Sequence, residues 1–226
     1  MNDHTHTHST LYVDLDGTFS KSDMLFESLV TAVKVNPIVM IMCFFWLLKG
    51  RSFLKYKLSQ YAEISTSLLP LNTEFYAFLL KEKEKNRKIV LATASNKKYA
   101  ESICKDFDLF DSYISSDKDT NLKGSAKLAK IKTLSNTFSY AGNSREDFVL
   151  FREAEESYLV NPTKSARRMA LKAPTSKVFD DTSSGVKVWL KQLRVHQWLK
   201  NLLIFVPLLV SGSFVNFDLI LLSFLG

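Results

Sequence analysis

Cysteine is nearly missing from this chain: Cys43 and Cys104 are the two thiols among 226 residues, and neither has metal-like spacing or neighbours. Two thiols do not make a disulfide framework, and nothing points to an oxidising compartment, so both read as buried. The opening residues, MNDHTHTHST, lack the apolar core of a secretory signal, and the N-terminus is therefore expected to stay in the cytoplasm. His4, His6 and His8 alternate there, one way to hold a metal, but a solvated tail is the stronger reading. A basic patch interleaved with aromatics is also lacking. The formal charge is +7, from 30 Lys and Arg against 23 Asp and Glu, yet the cations gather beside apolar segments. That pattern favours a membrane surface and argues against nucleic acid as a partner.

What the sequence does contain is a recurring short apolar run that ends in small or polar residues. TLYVD, KIVLATAS, SYISSD, FSYAGNS and SYLVNP follow this form, separated mostly by stretches with helical periodicity. Strands alternating with helices predict an α/β fold with a Rossmann-like parallel sheet. Ligands of such sheets bind at the carboxyl ends of the strands, where Asp14, Thr93 and Asn143 would lie. The sheet-forming part takes residues 9–18 and 87–162. Residues 19–86 are too long for a simple crossover and are expected to form a helical cap. Inside it, IVMIMCFFWLL (residues 38–48) is apolar on every face, and Lys49, Arg51, Lys55 and Lys57 follow at once. The run is too short to span a bilayer, which leaves a buried cap helix or an interfacial segment.

Residues 163–186 turn polar and read as a surface excursion and linker. Residues 187–226 are a different kind of sequence. Lys187, Lys191, Arg194 and Lys200 precede an apolar run, with Trp189 and Trp198 at its boundary. Cations on that side and tryptophans at headgroup level predict the start of a membrane domain that enters from the cytoplasm. The run from Leu199 to Val215 is about the minimum length for a span, and a second apolar run starts at Leu219. A piece of a longer membrane protein is the expectation, and an amphipathic anchor is the alternative.

The densest chemistry lies in LYVDLDGTFS, where Asp14 and Asp16 stand two residues apart as an apolar run ends. Paired carboxylates repel, and burying them without partners is costly, which argues against a purely structural use.

Four segments in order, VDLDGT (13–18), VLATAS (90–95), NLKGSAK (121–127) and AGNSREDF (141–148), resemble the four motifs of the haloacid dehalogenase (HAD) superfamily of phosphohydrolases. The resemblance covers about residues 10 to 162 and implies the HAD-type sheet with its inserted cap. It implies Asp14 as the nucleophile that forms a phosphoaspartate, and Asp16 as general acid and base. An acid at that second position favours hydrolysis, because it can later deprotonate the attacking water. Thr93 would bind the transferring phosphoryl oxygens, with Ser95, Asn96, Gly17 and Thr18 around the group. The motif lysine is Lys123 or Lys127, with a slight preference for Lys123. Magnesium would be held by Asp14, Asp16, Asn143 and Asp147. Asn143 stands where the family usually has an acid, so the site offers the cation one charge fewer.

The tail LKQLRVHQWLKNLLIFVPLL (190–209) resembles the entry to the first membrane helix of UbiA-type polyprenyl transferases, some of which carry a HAD-like domain in front. That resemblance implies a fused prenyl or phosphoribosyl transferase and places the chain at the cytoplasmic membrane. The substrate would then be a phosphorylated small molecule or a polyprenyl-linked phosphate, with membrane lipid as a partner. The aspartate-rich diphosphate-binding motifs of that family are absent from these residues, so they could not perform prenyl transfer themselves.

Overall fold

The computed structural model describes residues 9–170 and 175–180. The histidines of the N-terminal tail and the expected membrane-entry segment 187–226 lie outside them. Among the described residues, no helix is long and apolar enough to cross a membrane.

Five of the apolar runs form the strands expected: β1 (Thr10–Val13), β2 (Ile89–Asn96), β3 (Ser112–Ser116), β4 (Phe138–Gly142) and β5 (Ser157–Val160). All pair in parallel in the order β3-β2-β1-β4-β5, with a sixth strand, β6 (Lys177–Phe179), on the β5 edge. Their burial explains the sequence pattern. Strands covered on both faces read as continuous apolar runs, and β4 and β5 are buried at every residue. Leu11 and Val13 point to one side, where they meet Phe75 and Leu79 of α4 (Thr73–Glu84) and Ile103 of α5 (Lys97–Asp106). Tyr12 points to the other side, among Ile131 of α6 (Ser125–Lys132) and Leu150 and Phe151 of α7 (Phe148–Glu153). Each such buried side chain contributes about 1.5–3 kcal/mol of transfer free energy.

The amino ends of the strands are fastened by one buried cation. Arg87 donates to the Ser9 carbonyl, to Glu82 and Tyr158, and to Ser139 and Glu156. Its five bonds tie the approaches to β1, β2, β4 and β5 together.

The cap is smaller than its sequence boundaries. Helices α1 (Met24–Val35), α2 (Val39–Leu48) and α3 (Arg51–Tyr61) enclose their own cluster of Ala32, Val39, Trp46 and Leu58. Helix α4, placed in the cap by the 19–86 boundary, instead covers the sheet, because Phe75 and Leu79 are fully buried in the main core. The segment read as a linker also departs from expectation within 163–180. Residues Lys164–Ala170 form helix α8, and Phe179 of β6 is buried against Phe75 and Phe78 at ring-centroid distances of 5.2 and 5.1 Å. A three-residue strand with one inward aromatic is too short to show alternation in the sequence.

Candidate active site

Strand β1 ends at Val13, so Asp14 is the first residue past the sheet, and its amide still bonds to the Ala141 carbonyl of β4. The chain then turns through Gly17, whose φ of +76° favours glycine. A Cβ at Gly17 would also lie 2.0 Å from Asn143 Nδ2, so the first and fourth motifs pack backbone to side chain.

The Asp14 carboxylate accepts a 2.7 Å bond from Lys127 Nζ. Helix α6 delivers this lysine. Gly124, with φ +52°, starts the helix, and Lys127 one turn later is buried to 2 % exposure. Lys127 Nζ also donates to Tyr140 Oη at 3.0 Å, and Tyr140 donates onward to Asp147 Oδ1 at 2.8 Å. Burial works to lower the Lys127 pKa, but the carboxylates of Asp14 and Asp147 overcome this and hold it above the ordinary value. Burial pushes Asp14 up to about 7 against the pull of Lys127, and Asp147 adds to the rise. Tyr140 is held neutral, its pKa raised well above ordinary by burial and then by Asp147 and Asp14.

The two lysine candidates therefore separate. Lys127 sits on Asp14, whereas Lys123 is 40 % exposed at its side chain and pairs with Glu146 at 2.9 Å. The slight preference for Lys123 runs against this geometry. The left-handed Gly124 redirects the chain, so the residue before it stays at the rim and the residue three after it turns inward.

Asp16 is fixed by two donors. Its Oδ1 accepts the Met24 amide at 2.8 Å, and its Oδ2 accepts the Ser95 hydroxyl at 2.8 Å. Burial still raises its pKa, helped by the charge of Asp23. A carboxyl held in place with an elevated pKa suits proton transfer.

The other expected residues divide. Thr93 is fully buried, and its Oγ1 accepts the Ser95 amide at 2.9 Å. The Thr18 hydroxyl is buried without a hydrogen-bond partner among the described residues. Asn96 caps α5, accepting the Lys98 amide at 3.0 Å, which is the local use of an asparagine at a strand-to-helix turn. Asp147 spends its oxygens on Tyr140 and on the amide and hydroxyl of Ser144. Asn143 stays on the cavity wall.

These groups line a cavity of about 240 Å³, which Asp14, Asp16, Lys55, Lys127, Asn143 and Asp147 share with their neighbours. Tyr140, which accepts from Lys127, and Lys55, on the cavity wall, were not singled out as site residues in the sequence. Tyr140 is an inward polar residue in mid-strand, a signal present but weak. Lys55 reaches in from α3, and its Nζ donates to the Ala94 carbonyl at 2.7 Å. Burial depresses its pKa, while Asp16 and Asp23 pull it back up. Nothing in the linear order of a cap helix announces that reach.

Among the described residues, no three His, Cys, Asp or Glu side chains are grouped to hold a metal. A magnesium site does not require such a group, since it is commonly built from one or two carboxylates, with water and substrate filling the rest. Here the buried Asp14 and Asp147 and the half-buried Asp16 stand around one buried ammonium, and Asp14 is driven towards the neutral form. That excess of hard oxygen donors over positive charge fits a small divalent cation.

No protein-family model matches the chain. Over 221 residues it is 31 % identical to an uncharacterised protein, y4nM, of Sinorhizobium fredii strain NGR234. The match takes in 96 % of this chain and 42 % of that protein, so the chain spans less than half the length of the curated relative it matches. Among solved structures, a protein of unknown function from Bordetella pertussis superposes with a TM-score of 0.58 at 14 % identity, covering 77 % of this chain and 99 % of that one. A probable phosphoserine phosphatase of Vibrio cholerae gives 0.55 at 15 %, covering 84 % and 66 %. A HAD-family hydrolase of Salmonella enterica serovar Typhi gives 0.53 at 12 %, covering 70 % and 64 %. Likenesses at these identities establish the fold, which is that of the HAD-family hydrolases.

Proposed function

We propose that this chain, built on the fold of the HAD-family hydrolases, is a magnesium-dependent phosphomonoesterase that works through a phosphoaspartate on Asp14. The observation that carries the reading is one geometry. A strand-end carboxylate is paired with a buried lysine at 2.7 Å, and a second carboxyl two residues on is held by Ser95 and Met24.

An Asp14 oxygen attacks phosphorus as the bond to the leaving oxygen breaks, and Asp16 supplies the proton that oxygen needs. Water then attacks the phosphoaspartate, Asp16 takes its proton, and inorganic phosphate leaves with Asp14 regenerated. Lys127 holds Asp14 in place and offsets the charge that gathers on the phosphoryl oxygens. The carboxylate of Asp14, the backbone carbonyl of Asp16 and the side-chain oxygen of Asn143 would hold magnesium, which supplies further shielding of phosphoryl charge.

The likeness of residues 190–209 to the UbiA-type entry supports a hydrolase joined to a membrane-embedded prenyl or phosphoribosyl transferase at the cytoplasmic membrane. The substrate under that reading is a polyprenyl-linked or phosphoribosyl phosphate. The neutral Asn143 favours a second reading, a catalytically weak module that docks or regulates the transferase.

Turnover of p-nitrophenyl phosphate with and without magnesium tests the proposal, together with acid-quenched transfer of radiolabelled phosphate to the protein. Magnesium-dependent turnover and a label lost in Asp14→Asn are expected. Wild-type turnover in that variant overturns the hydrolase reading, and a folded chain with neither turnover nor label leaves the docking module.

A further inference from the structure

The most apolar helix of the described residues has one of its broad faces uncovered. In α2 only Val39 and Trp46 are buried, and Trp46 packs against the Tyr61 ring with centroids 5.5 Å apart. Ile41, Phe44, Phe45 and Leu48 are 60–72 % exposed, and Met40 and Ile38 extend the same surface. A contiguous apolar surface of this kind on a folded domain marks an interaction site. The helix is ten residues long, about 15 Å, half of what crosses a bilayer, so its natural placement is along an interface.

The charge around this face decides among occupants. From Val35 to Tyr61 the sequence holds Lys49, Arg51, Lys55 and Lys57 and no aspartate or glutamate. Lys49 and Arg51 are exposed at the end of α2, and Lys49 and Lys57 flank the Phe53 ring at 5.3 and 5.8 Å. A second copy would set these cations against their equivalents. The only long apolar stretch outside the described residues, within 182–226, is entered through Lys187, Lys191, Arg194 and Lys200, which gives it the same sign. An anionic lipid surface offers apolar depth and opposite charge together.

We propose that the α2 face docks onto an anionic bilayer, with Ile41, Phe44, Phe45 and Leu48 at the acyl boundary and Lys49 and Arg51 among the headgroups. The docked face borders the catalytic opening. A second cavity of about 330 Å³ joins Asp16, Lys55 and Lys123 to Leu47 of α2 and to Arg51 and Leu54 of α3. A phosphate ester carried on a lipid thus meets apolar wall and cations on its way to Asp14. The docking itself stands on the cap surface and does not depend on the hydrolase reading.

The test uses the full chain bound to vesicles of phosphatidylcholine with or without phosphatidylglycerol. Nitroxide labels are attached at Ile41→Cys or Phe45→Cys, with Glu84→Cys, at an exposed position of α4, as reference, all in a Cys43→Ser, Cys104→Ser background. Both α2 sites are exposed, so their labels spare the cap core, and near-ultraviolet circular dichroism checks that each variant is folded. With anionic vesicles, the collision ratio of oxygen to a water-soluble nickel chelate should rise several-fold at 41 and 45 and stay unchanged at 84. High salt or Lys49→Glu with Arg51→Glu should reverse much of the rise. Labels that remain nickel-accessible overturn the proposal, because anchoring by residues 182–226 alone leaves them in water. Shielding already complete without lipid also overturns it: dipolar coupling between labels would then identify a second copy, and its absence would identify cover by this chain's own residues. Equal burial in neutral vesicles, indifferent to salt, overturns the anionic requirement.

Discussion

Lys127 Nζ lies 2.7 Å from Asp14 Oδ1 across 113 positions of sequence, while Lys123, four residues earlier, turns to the solvent-facing Glu146. The two lysines are of one chemical type, and their burial separates them.

Lys127→Ala should reduce phosphomonoester turnover by at least about a hundredfold, and Lys123→Ala by no more than a few-fold. The first substitution also leaves Asp14 and Asp147 buried without their ammonium, at a cost of about 3 kcal/mol of stability. The second removes an exposed pair worth about 0–1 kcal/mol. Steady-state kinetics and urea unfolding of the two variants check both statements; equal effects would remove the basis for assigning Lys127 to the site.

The pH dependence of the metal-free protein has a definite sign. Burial lifts Asp14 to about 7, whereas in the unfolded chain it titrates near the ordinary 3.8. Between those values the folded state keeps a proton that the unfolded state has lost, so stability falls as pH rises towards 7 and levels off above it. Asp16 is raised as well and acts in the same direction. The urea midpoint without magnesium should therefore drop from pH 5 to pH 8, with a shallower drop in Asp14→Asn. Because the cation needs ionised Asp14, apparent magnesium affinity should weaken about tenfold from pH 8 to pH 6. A midpoint that climbs over this range would show that Asp14 titrates low.

Asn143→Asp adds a carboxylate beside Gly17 on a wall that already carries Asp14, Asp16 and Asp147. It should lower the magnesium concentration for half-maximal activity and reduce stability when magnesium is removed. Isothermal titration and chelator-dependent thermal melts read these opposite effects. An unchanged magnesium response would mean that residue 143 does not reach the cation.

Phe179→Ala should destabilise the protein by about 3 kcal/mol, as expected for a buried phenylalanine packed on Phe75 and Phe78. The denaturation midpoint of the full chain reports it. A loss below about 0.5 kcal/mol would show that β6 is dispensable to the core.

Strands β1, β2, β4 and β5 were legible because each is a short run buried on both faces, the half-buried edge strand β3 because its run ends in small and polar residues as theirs do, and the site aspartates because they interrupt such a run at its end. β6 was not legible: three residues with one inward aromatic carry no period. The boundary of the cap was blurred because α4 follows it without a break in composition, and only the destination of Phe75 and Leu79 reveals which core it serves. Between Lys123 and Lys127 the sequence shows two lysines near a glycine, and the backbone angle at Gly124 decides which turns inward. Lys55 owes its place to tertiary contact alone, and Tyr140 shows in the sequence only as a polar residue in mid-strand. Trp46, which in the sequence is one more apolar residue of α2, pins that helix to its cap together with Val39, so a charge there would test folding in place of lipid contact.

The network around Arg87 has a further consequence. It gathers Glu82, Glu156 and Tyr158 at the amino ends of the strands, whereas Asp14, Asp16 and Lys127 lie at the carboxyl ends. Four residues of apolar β1, about 13 Å, lie between the two sets of charges. No side-chain hydrogen bond among the described residues joins the two sets, so refitting the carboxyl end leaves the bonds of the Arg87 fastening in place, and side chains there can be exchanged while the strands stay tied at their other end.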